Sequence, residues 1–183
     1  MNVPILVILL FGFLTSLRAE ESSYGRRWVA SPDHRYLLTF ISEDEAHPQV
    51  FTIQDAHGKT LLTSLDYPEL HGVFTYATDR VLWSPDSQVV AVAAGSPHFM
   101  VTYIFARSGD TFVLVPAPGL AKDFANYFIL PVKWLKNRTL HVEISGPYGG
   151  KADKREYRGE ARLKVTLNPL KCEKRFEHIQ YKP

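Results

Sequence analysis

Apolar and polar residues alternate in short runs along this chain, and residues typical of tight turns separate the runs. The stretch from 79 to 95 is the clearest case: it reads Val-Leu-Trp, then Ser84-Pro85-Asp86-Ser87, then a wholly apolar run over 89–94. Pro85 presets φ for a turn, and the Asp86 carboxylate can accept from nearby backbone N–H groups. A short run that is apolar throughout is typical of a strand covered on both faces. This stretch therefore predicts a strand, a tight turn and a second strand.

The same pattern occurs three times along the chain. Alignment of Trp83 with Ala30 and with Trp134 gives offsets of 53 and 51 residues. Each copy continues into further alternating runs with turns between them, which predicts four antiparallel strands per repeat. Four strands in about fifty residues is the size of a β-propeller blade. We therefore predict an all-β domain of three four-stranded, propeller-like blades, at about residues 25–66, 71–116 and 129–182.

The turns of the first two repeats resemble those of a known family. Trp83-Ser84-Pro85-Asp86 and Ala30-Ser31-Pro32-Asp33 resemble the aromatic-Ser-Pro-Asp turn of TolB-type, WD40-like β-propeller repeats, while the third repeat has Leu135-Lys136-Asn137 in this place. The resemblance implies an extracytoplasmic binding scaffold that holds proteins or peptides. It also implies that four residues are structural turn formers and not catalysts, namely Pro32, Asp33, Pro85 and Asp86.

One segment interrupts the repeats. After Pro118-Gly119, four apolar residues fall on one side at helical spacing: Leu120, Phe124, Tyr127 and Phe128. We predict one short helix over 119–128, between blades two and three, ending before Pro131. Such a stripe usually packs on a core and here could cover a sheet face.

The second strands of the repeats predict which sheet faces are wet. The middle repeat is small and apolar on both faces from Val89 to Ala94, so we expect it to be sandwiched between the other two. In the third repeat, His141, Glu143 and Ser145 share one face, which we expect to meet water.

The same alignment makes Tyr36, Leu38 and Phe40 the free end of the first repeat. Burial of each large apolar side chain is worth about 1.5–3 kcal/mol, so something should cover these three. Another segment of the chain, a partner protein, or a second copy that closes a six-bladed ring are the alternatives. The ring is the less favoured, because it would bury an unpaired glutamate, Glu143.

The amino terminus has the pattern of a signal peptide over 1–19. Residues 3–14 are almost unbroken apolar sequence, and Ala19 is a small residue just before Glu20. The run is too short to span a bilayer comfortably, so we expect cleavage, with membrane contact only through an uncleaved segment. Residues 20–183 would then form a single periplasmic or secreted domain. The single cysteine, Cys172, allows no internal disulfide, which favours a periplasmic protein.

Charge is distributed unevenly along the chain. Residues 20–150 hold ten Lys or Arg and fourteen Asp or Glu, whereas residues 151–183 hold ten and five. A basic end could meet an acidic partner or a polysaccharide surface, and a solvated strand pair with a charged outer face accounts for the same counts. The aromatic residues alternate within strands, which indicates core packing and no nucleic-acid partner.

No motif indicates a catalytic site, a metal or a cofactor. His141 and Glu143 share a predicted strand face, but no third ligand at a zinc-site spacing accompanies them. Ser96-Pro97-His98 lacks the Gly-x-Ser-x-Gly elbow of a serine nucleophile and reads as a turn.

These observations favour a non-catalytic extracytoplasmic binding or scaffold protein with a protein or peptide partner. One alternative is an envelope hydrolase acting on glycan or peptide, in which Asp33, Asp86, His141 and Glu143 would converge. Another is a periplasmic inhibitor of a hydrolase, which would insert a loop. The binding residues we expect are Tyr36, Leu38 and Phe40, together with Tyr148, Lys151, Lys154 and Arg155 in the long hairpin loop over 147–155.

Overall fold

A computed structural model describes residues 27–41, 50–70, 80–96, 99–120, 128–148 and 155–181, and these residues form an all-β protein with antiparallel sheets. The predicted fold class is confirmed at this level. The strands are β1 (Arg27–Ala30), β2 (Tyr36–Ile41), β3 (Val50–Asp55), β4 (Thr60–Thr63), β5 (Val81–Trp83), β6 (Val89–Ser96), β7 (Phe99–Ser108), β8 (Thr111–Leu114), β9 (Phe128–Leu135), β10 (Thr139–Tyr148), β11 (Arg155–Leu167) and β12 (Leu170–Tyr181). Within the described ranges, no helix has the length and apolar character needed to cross a membrane.

The strands belong to two sheets. The first sheet has the order β1-β2-β3-β4, and the second has the order β12-β11-β10-β9-β7-β6-β5, with β8 paired to β7. We call β5–β8 the middle strand group and β9–β12 the last strand group. A single parallel pair, Met100 with Phe128, joins the two groups. The prediction of three separate four-stranded blades is therefore not confirmed, and the described strands do not close into a ring.

The predicted helix over 119–128 is not seen in the part of the chain that the structure describes. Residues 116–120 have no regular structure, and Phe128 already belongs to β9. Residues 121–127 lie outside the described ranges.

Pro131 lies buried inside β9, where the sequence predicts the end of a helix. Pro131 lies where the pairing of β9 with β10 shifts by one residue. His141 of β10 pairs with Lys133, and the next residue, Val142, pairs with Pro131. Val132 therefore faces no partner on β10. A bulge of this kind accommodates a residue that has no N–H to give to the ladder.

Two hydrophobic cores hold the strands together. The first core lies between the first sheet and the middle strand group, and the second lies between the middle and last strand groups. Strand β6 serves both: Val90 and Val92 belong to the first core, Val89 and Ala91 to the second, and all four are 0% exposed. The expectation of a sandwiched middle repeat is confirmed.

The strand register differs from the predicted alignment in the third repeat. The residues that hold equivalent positions are the pairs Ala30–Leu37, Trp83–Val90 and Trp134–Leu140. The third turn is thus one residue shorter than the other two. Because side chains alternate, a slip of one residue exchanges the two faces of a strand. Leu140 therefore corresponds to Val90 and Leu37, and not to Val89 and Tyr36.

Tyr36, Leu38 and Phe40 lie in the first core and not at a free end. They are 5%, 0% and 3% exposed. Tyr36 stacks on Trp83 with ring centroids 6.1 Å apart and meets Phe112 edge-on at 5.1 Å. The middle strand group covers this face, so these three residues are not accessible as a binding surface.

Candidate functional site

The two Ser-Pro-Asp turns use the same hydrogen bonds. The Oγ of Ser31 donates to Asp33 Oδ1 at 2.7 Å and accepts the N–H of Tyr36 at 3.0 Å. The Oγ of Ser84 donates to Asp86 at 2.7 Å and accepts the N–H of the first β6 residue at 3.0 Å. Each aspartate therefore closes its own turn, which is the role that the family resemblance implies for it.

Both turn aspartates are held in the ionised form. Burial alone would raise the pKa of Asp33, but hydrogen bonds from Ser31 and Arg35 hold that pKa well below its usual value. Burial opposes the shift at Asp86 too, and hydrogen bonds from Ser84 and Gln88, with the charge of Arg138, lower its pKa. A carboxylate that already accepts these bonds is poorly suited to act as a general acid or base at neutral pH.

Tryptophan side chains link each strand group to the one before it. The Nε1 of Trp83 donates to the carbonyl of Val29 at 3.1 Å, and that of Trp134 donates to the carbonyl of Leu82 at 2.9 Å. In the first sheet the equivalent position is Ala30, which is exposed. The indole hydrogen bond is therefore present between the first sheet and the middle strand group and between the middle and last strand groups. The first sheet itself has no such donor, because Ala30 occupies the position of the tryptophan.

The turns of neighbouring strand groups are also linked to each other. The N–H of Asp33 donates to Ser87 Oγ at 3.2 Å, which joins the first turn to the second. The Nε of Arg138 lies 2.7 Å from Asp86 Oδ2, which joins the second turn to the third. These contacts give the turns a structural function along one edge of the molecule.

Charged side chains cover the far side of the last strand group. On β11, core side chains such as Tyr157 and Leu163 alternate with Arg158, Glu160 and Arg162 on the opposite face. We call this opposite face the outer face. His141, Glu143 and Ser145, which we expect to meet water, lie on the outer face. Glu143 is exposed, and the other two are half-buried. The alternation over 157–165 is readable in the sequence and locates this face.

The charges of the outer face lie in three rows across the strands. The rows of cross-strand neighbours, each read from β9 to β12, are Lys133, His141, Arg162 and Phe176; Leu130, Glu143, Glu160 and His178; and Phe128, Ser145, Arg158 and Gln180. On β11, Arg158 and Arg162 therefore lie on either side of Glu160, which is opposite Glu143. Like charges directly opposite each other, as at Glu143 and Glu160, are destabilising in a sheet.

A histidine approaches this pair of glutamates. The Nε2 of His141 lies 2.8 Å from Glu160 Oε2, although the approach lacks the direction of a hydrogen bond. The described residues contain no group of three or more His, Cys, Asp or Glu side chains that could hold a metal ion. His141 and Glu143 share a face, as the sequence predicts, but the nearest polar contact of His141 is to Glu160.

The residues required by a hydrolase are not brought together. Asp33 and Asp86 are engaged in their turns, and no described contact joins either of them to His141 or Glu143. Cys172 is half-buried, and burial, with the nearby charge of Glu173, raises the pKa of its thiol to about 11. That thiol is protonated at neutral pH and is a poor nucleophile.

Two of the predicted loop residues fall at the end of the β10–β11 hairpin. Tyr148 ends β10 and Arg155 begins β11, and the two pair with each other. Lys151 and Lys154 lie outside the described residues. The hairpin that carries the loop also carries the outer face.

An apolar cavity of about 260 Å³ lies at the junction of the middle and last strand groups. Ile104, Val115, Leu120 and Ile129 contribute to its wall. The hydroxyl of Thr102 reaches it but already donates to the carbonyl of Ile129 at 2.7 Å. The cavity therefore offers a ligand apolar contact and little to orient it.

The fold defines the class of protein as all-β with antiparallel sheets. Comparison with protein-family models gives no match, and no curated protein sequence matches the chain. The function is therefore argued from the geometry of the molecule.

Proposed function

We propose that this chain is a non-catalytic extracytoplasmic binding or scaffold protein built from three propeller-like strand groups. The observation that carries the proposal is the outer face of the last strand group, where the paired Glu143 and Glu160 lie between Arg158 and Arg162. A further strand group packed there would bury charges, and unpaired buried charges cost several kcal/mol each. The face is therefore suited to water and to a polar partner.

The row pattern favours a protein or peptide partner. Neighbouring rows are two residues apart along a strand, about 7 Å. A complementary surface offers acidic groups on both sides of a basic one at that spacing, which side chains of a protein can do. A uniformly acidic polysaccharide would meet Glu143 and Glu160 with repulsion. Tyr148 and Arg155 pair with each other at the end of the same hairpin, one pair of residues beyond Pro147 and Glu156.

The repeated links between strand groups support a propeller-like arrangement. Trp83 and Trp134 make the same indole bond to the preceding strand group, and Ser31 and Ser84 organise their turns alike. Blade-type repeats stack in this way, with each unit contacting its neighbours. These regularities are also what the TolB-type resemblance implies.

Cross-linked pull-down with charge-reversal variants tests the binding site. Arg158→Glu combined with Arg162→Glu reverses the charge on both sides of Glu160. We expect recovery of the partner to fall about tenfold or more. Lys59→Glu, in an exposed turn of the first sheet, is the matched control and should change nothing. Recovery of the same partners by both variants would show that binding lies elsewhere.

Cell fractionation tests the location. We expect the protein outside the cytoplasm, with a mature amino terminus at Glu20 in mass spectra of the recovered form. An intact Met1 in a cytoplasmic fraction would contradict both the cleavage and the extracytoplasmic role.

A further inference from the structure

The outer face carries charges that are complementary to themselves. Along β11, its side chains alternate in sign in the order Glu156, Arg158, Glu160 and Arg162. Glu160 is half-buried, and the other three are exposed. A partner can therefore reach this series of charges directly.

A two-fold axis at Gly159 would set each of these charges opposite its counterion. If the axis runs across the strands, β11 of a second copy lies antiparallel on β11 of the first. Arg158 then meets Glu160 of the second copy, and Glu156 meets Arg162 of the second copy. Each contact occurs twice, because a two-fold contact uses one patch on both subunits.

The charges also fix the position of the axis. If the axis lay at Arg158, two copies of that arginine would meet, and Glu156 would meet Glu160. If it lay at Glu160, two copies of that glutamate would meet, and Arg158 would meet Arg162. Like charges placed together oppose association, so the axis at Gly159 is the favoured one.

The strands on either side of β11 fit the same axis. On β10, the axis sets Glu143 opposite Ser145 of the second copy. On β12, it sets His178 opposite Gln180 of the second copy. Neither strand therefore adds a contact between like charges.

We propose that the partner of the outer face is a second copy of this chain, bound about the axis at Gly159; this assignment rests on the binding role proposed for that face. Within one copy, Glu143 and Glu160 pair directly as like charges, which destabilises a sheet. Arg158 of the second copy faces Glu160 and pairs across its own sheet with Ser145, which faces Glu143. The second copy thus supplies a counterion to the pair of glutamates.

The overlap of the two faces sets the strength of the contact. On β11 it covers 155–163, and on β9 it sets Leu130 opposite Phe128, which adds apolar contact. At about 3.3 Å a residue and about 4.8 Å a strand, four strands give a patch of about 30 by 19 Å, so that two copies bury about 1,100 Å². Specific interfaces bury at least about 1,000 Å². We therefore expect a dimer that forms as the concentration rises.

Sheets that pack face to face keep their strands within about 30° of each other. Contacts far from the axis are displaced by this angle more than contacts close to it. Arg158 and Glu160 lie next to the axis, so their pairing contributes the most.

Light scattering on a concentration series is the first test. The protein is expressed from its complete sequence, and mass spectrometry identifies the amino terminus of the recovered form. We expect the mass to rise from one copy toward two between about 1 and several hundred micromolar. Added salt should move the rise to higher concentration, because it screens the charges.

Exchange of two charges tests the pairing itself. Arg158→Glu sets two glutamates opposite each other, and Glu160→Arg sets two arginines opposite each other, so each variant alone should weaken the dimer about tenfold or more. Arg158→Glu combined with Glu160→Arg restores opposite charges and should restore the dimer. An equimolar mixture of the two single variants should form mixed dimers. Lys59→Glu, in an exposed turn of the first sheet, is the control and should leave the dimer unchanged.

Two results would overturn the assignment, with circular dichroism showing that each variant is folded. A dimer that persists in both single variants, or that the double variant does not restore, would place the contact on another surface. A wild-type mass that stays at one copy throughout would show that the outer face does not bind a second copy. The proposed function then still holds if the pull-down recovers a different protein that Arg158→Glu with Arg162→Glu loses, and it fails if no such protein is recovered.

Discussion

The two ends of the molecule present opposite faces of equivalent strands, and these two faces differ in charge. At one end, β2 presents Leu37, Thr39 and Ile41, and no charged side chain of β1–β3 accompanies them. At the other end, β10 presents His141 and Glu143 among charged neighbours. Between these ends, equivalent faces meet in two cores of the same kind.

For the arrangement proposed above, this difference disfavours direct packing of one end face on the other. A repeat protein that continues, or closes on itself, needs two complementary end faces. Here the described strands β1–β3 place no charge at one end, whereas the other end is charged, so the two faces do not complement each other. The substitution of Ala30 for the linking tryptophan marks the first end, and Glu143 marks the last.

Introduction of a charge at the equivalent leucine and valine positions should have the largest effect. Val90→Lys and Leu140→Lys each bury an unpaired charge in a core, and we expect each to lower the free energy of unfolding by more than about 3 kcal/mol. Leu37→Lys, at a half-buried position that belongs to neither core, should cost less, about 1 kcal/mol. Chemical denaturation at low protein concentration measures all three.

This comparison fails if the three variants behave alike. Equal and large losses would mean that Leu37 is as closely packed as the internal positions. The conservative changes Val90→Ala and Leu140→Ala separate the loss of packing from the cost of the charge.

Removal of the indole N–H should have the next largest effect. Trp83→Phe loses the bond to Val29 and part of the packing on Tyr36, and we expect a loss of about 2–3 kcal/mol. Trp134→Phe should cost about 1–2 kcal/mol because Trp134 is half-buried. Trp28→Phe, at a half-buried position in neither core, is the control and should change stability least. A reversed order would show that the indole links do not hold the strand groups together.

Acid should destabilise the molecule through its turns. The pKa of Asp33 is lowered in the folded state, so its contribution is present above the unfolded value of about 3.9 and is lost as the pH falls through the folded pKa. Asp86 behaves in the same sense. We expect the unfolding free energy to fall below about pH 4, and Asp33→Asn should flatten that fall.

Asp110→Asn is the control for the acid experiment. The Asp110 side chain is 96% exposed and lies outside both Ser-Pro-Asp turns. If Asp110→Asn flattened the curve as much as Asp33→Asn, the acid sensitivity would not come from the turns.

Neutralisation of one glutamate at the charged end should have the smallest effect. Glu143→Gln removes the like-charge pair with Glu160, and we expect a gain of about 0.2–1 kcal/mol. Thermal unfolding in low salt measures it, and added salt should reduce the gain by screening. A loss of stability would mean that Glu143 is held by a favourable contact in the free protein.

Much of the architecture could be predicted from local patterns. The small apolar residues of β6 identified a strand covered on both faces, because nothing polar in Val89–Ala94 could face water. The repeated turn sequence located the first strands of each repeat. The connection between the middle and last strand groups was not predictable, because a single parallel pair, Met100 with Phe128, leaves no pattern in the sequence.

The site was harder to predict, because one residue of register decides which face is free. The turn that follows Trp134 is one residue shorter than the turn that follows Trp83. An alignment on the tryptophans therefore assigned Leu140 to the wrong face of its strand. The same error placed Tyr36 at an exposed end of the molecule. Pro131 was interpreted as the end of a helix, because proline ends helices more often than it occupies a β-bulge. The outer face was partly found, because charges alternate with core residues along β11.

The three tryptophans lie in three different parts of the molecule. Trp83 lies at the junction of the first sheet and the middle strand group, and Trp134 lies at the junction of the middle and last strand groups. Trp28 lies on the face of the first sheet that belongs to neither core. Indole emission shifts to longer wavelength when the ring meets water. The protein thus carries its own optical reporter for each junction and for its free end, and single-tryptophan variants would reveal the order in which the strand groups separate.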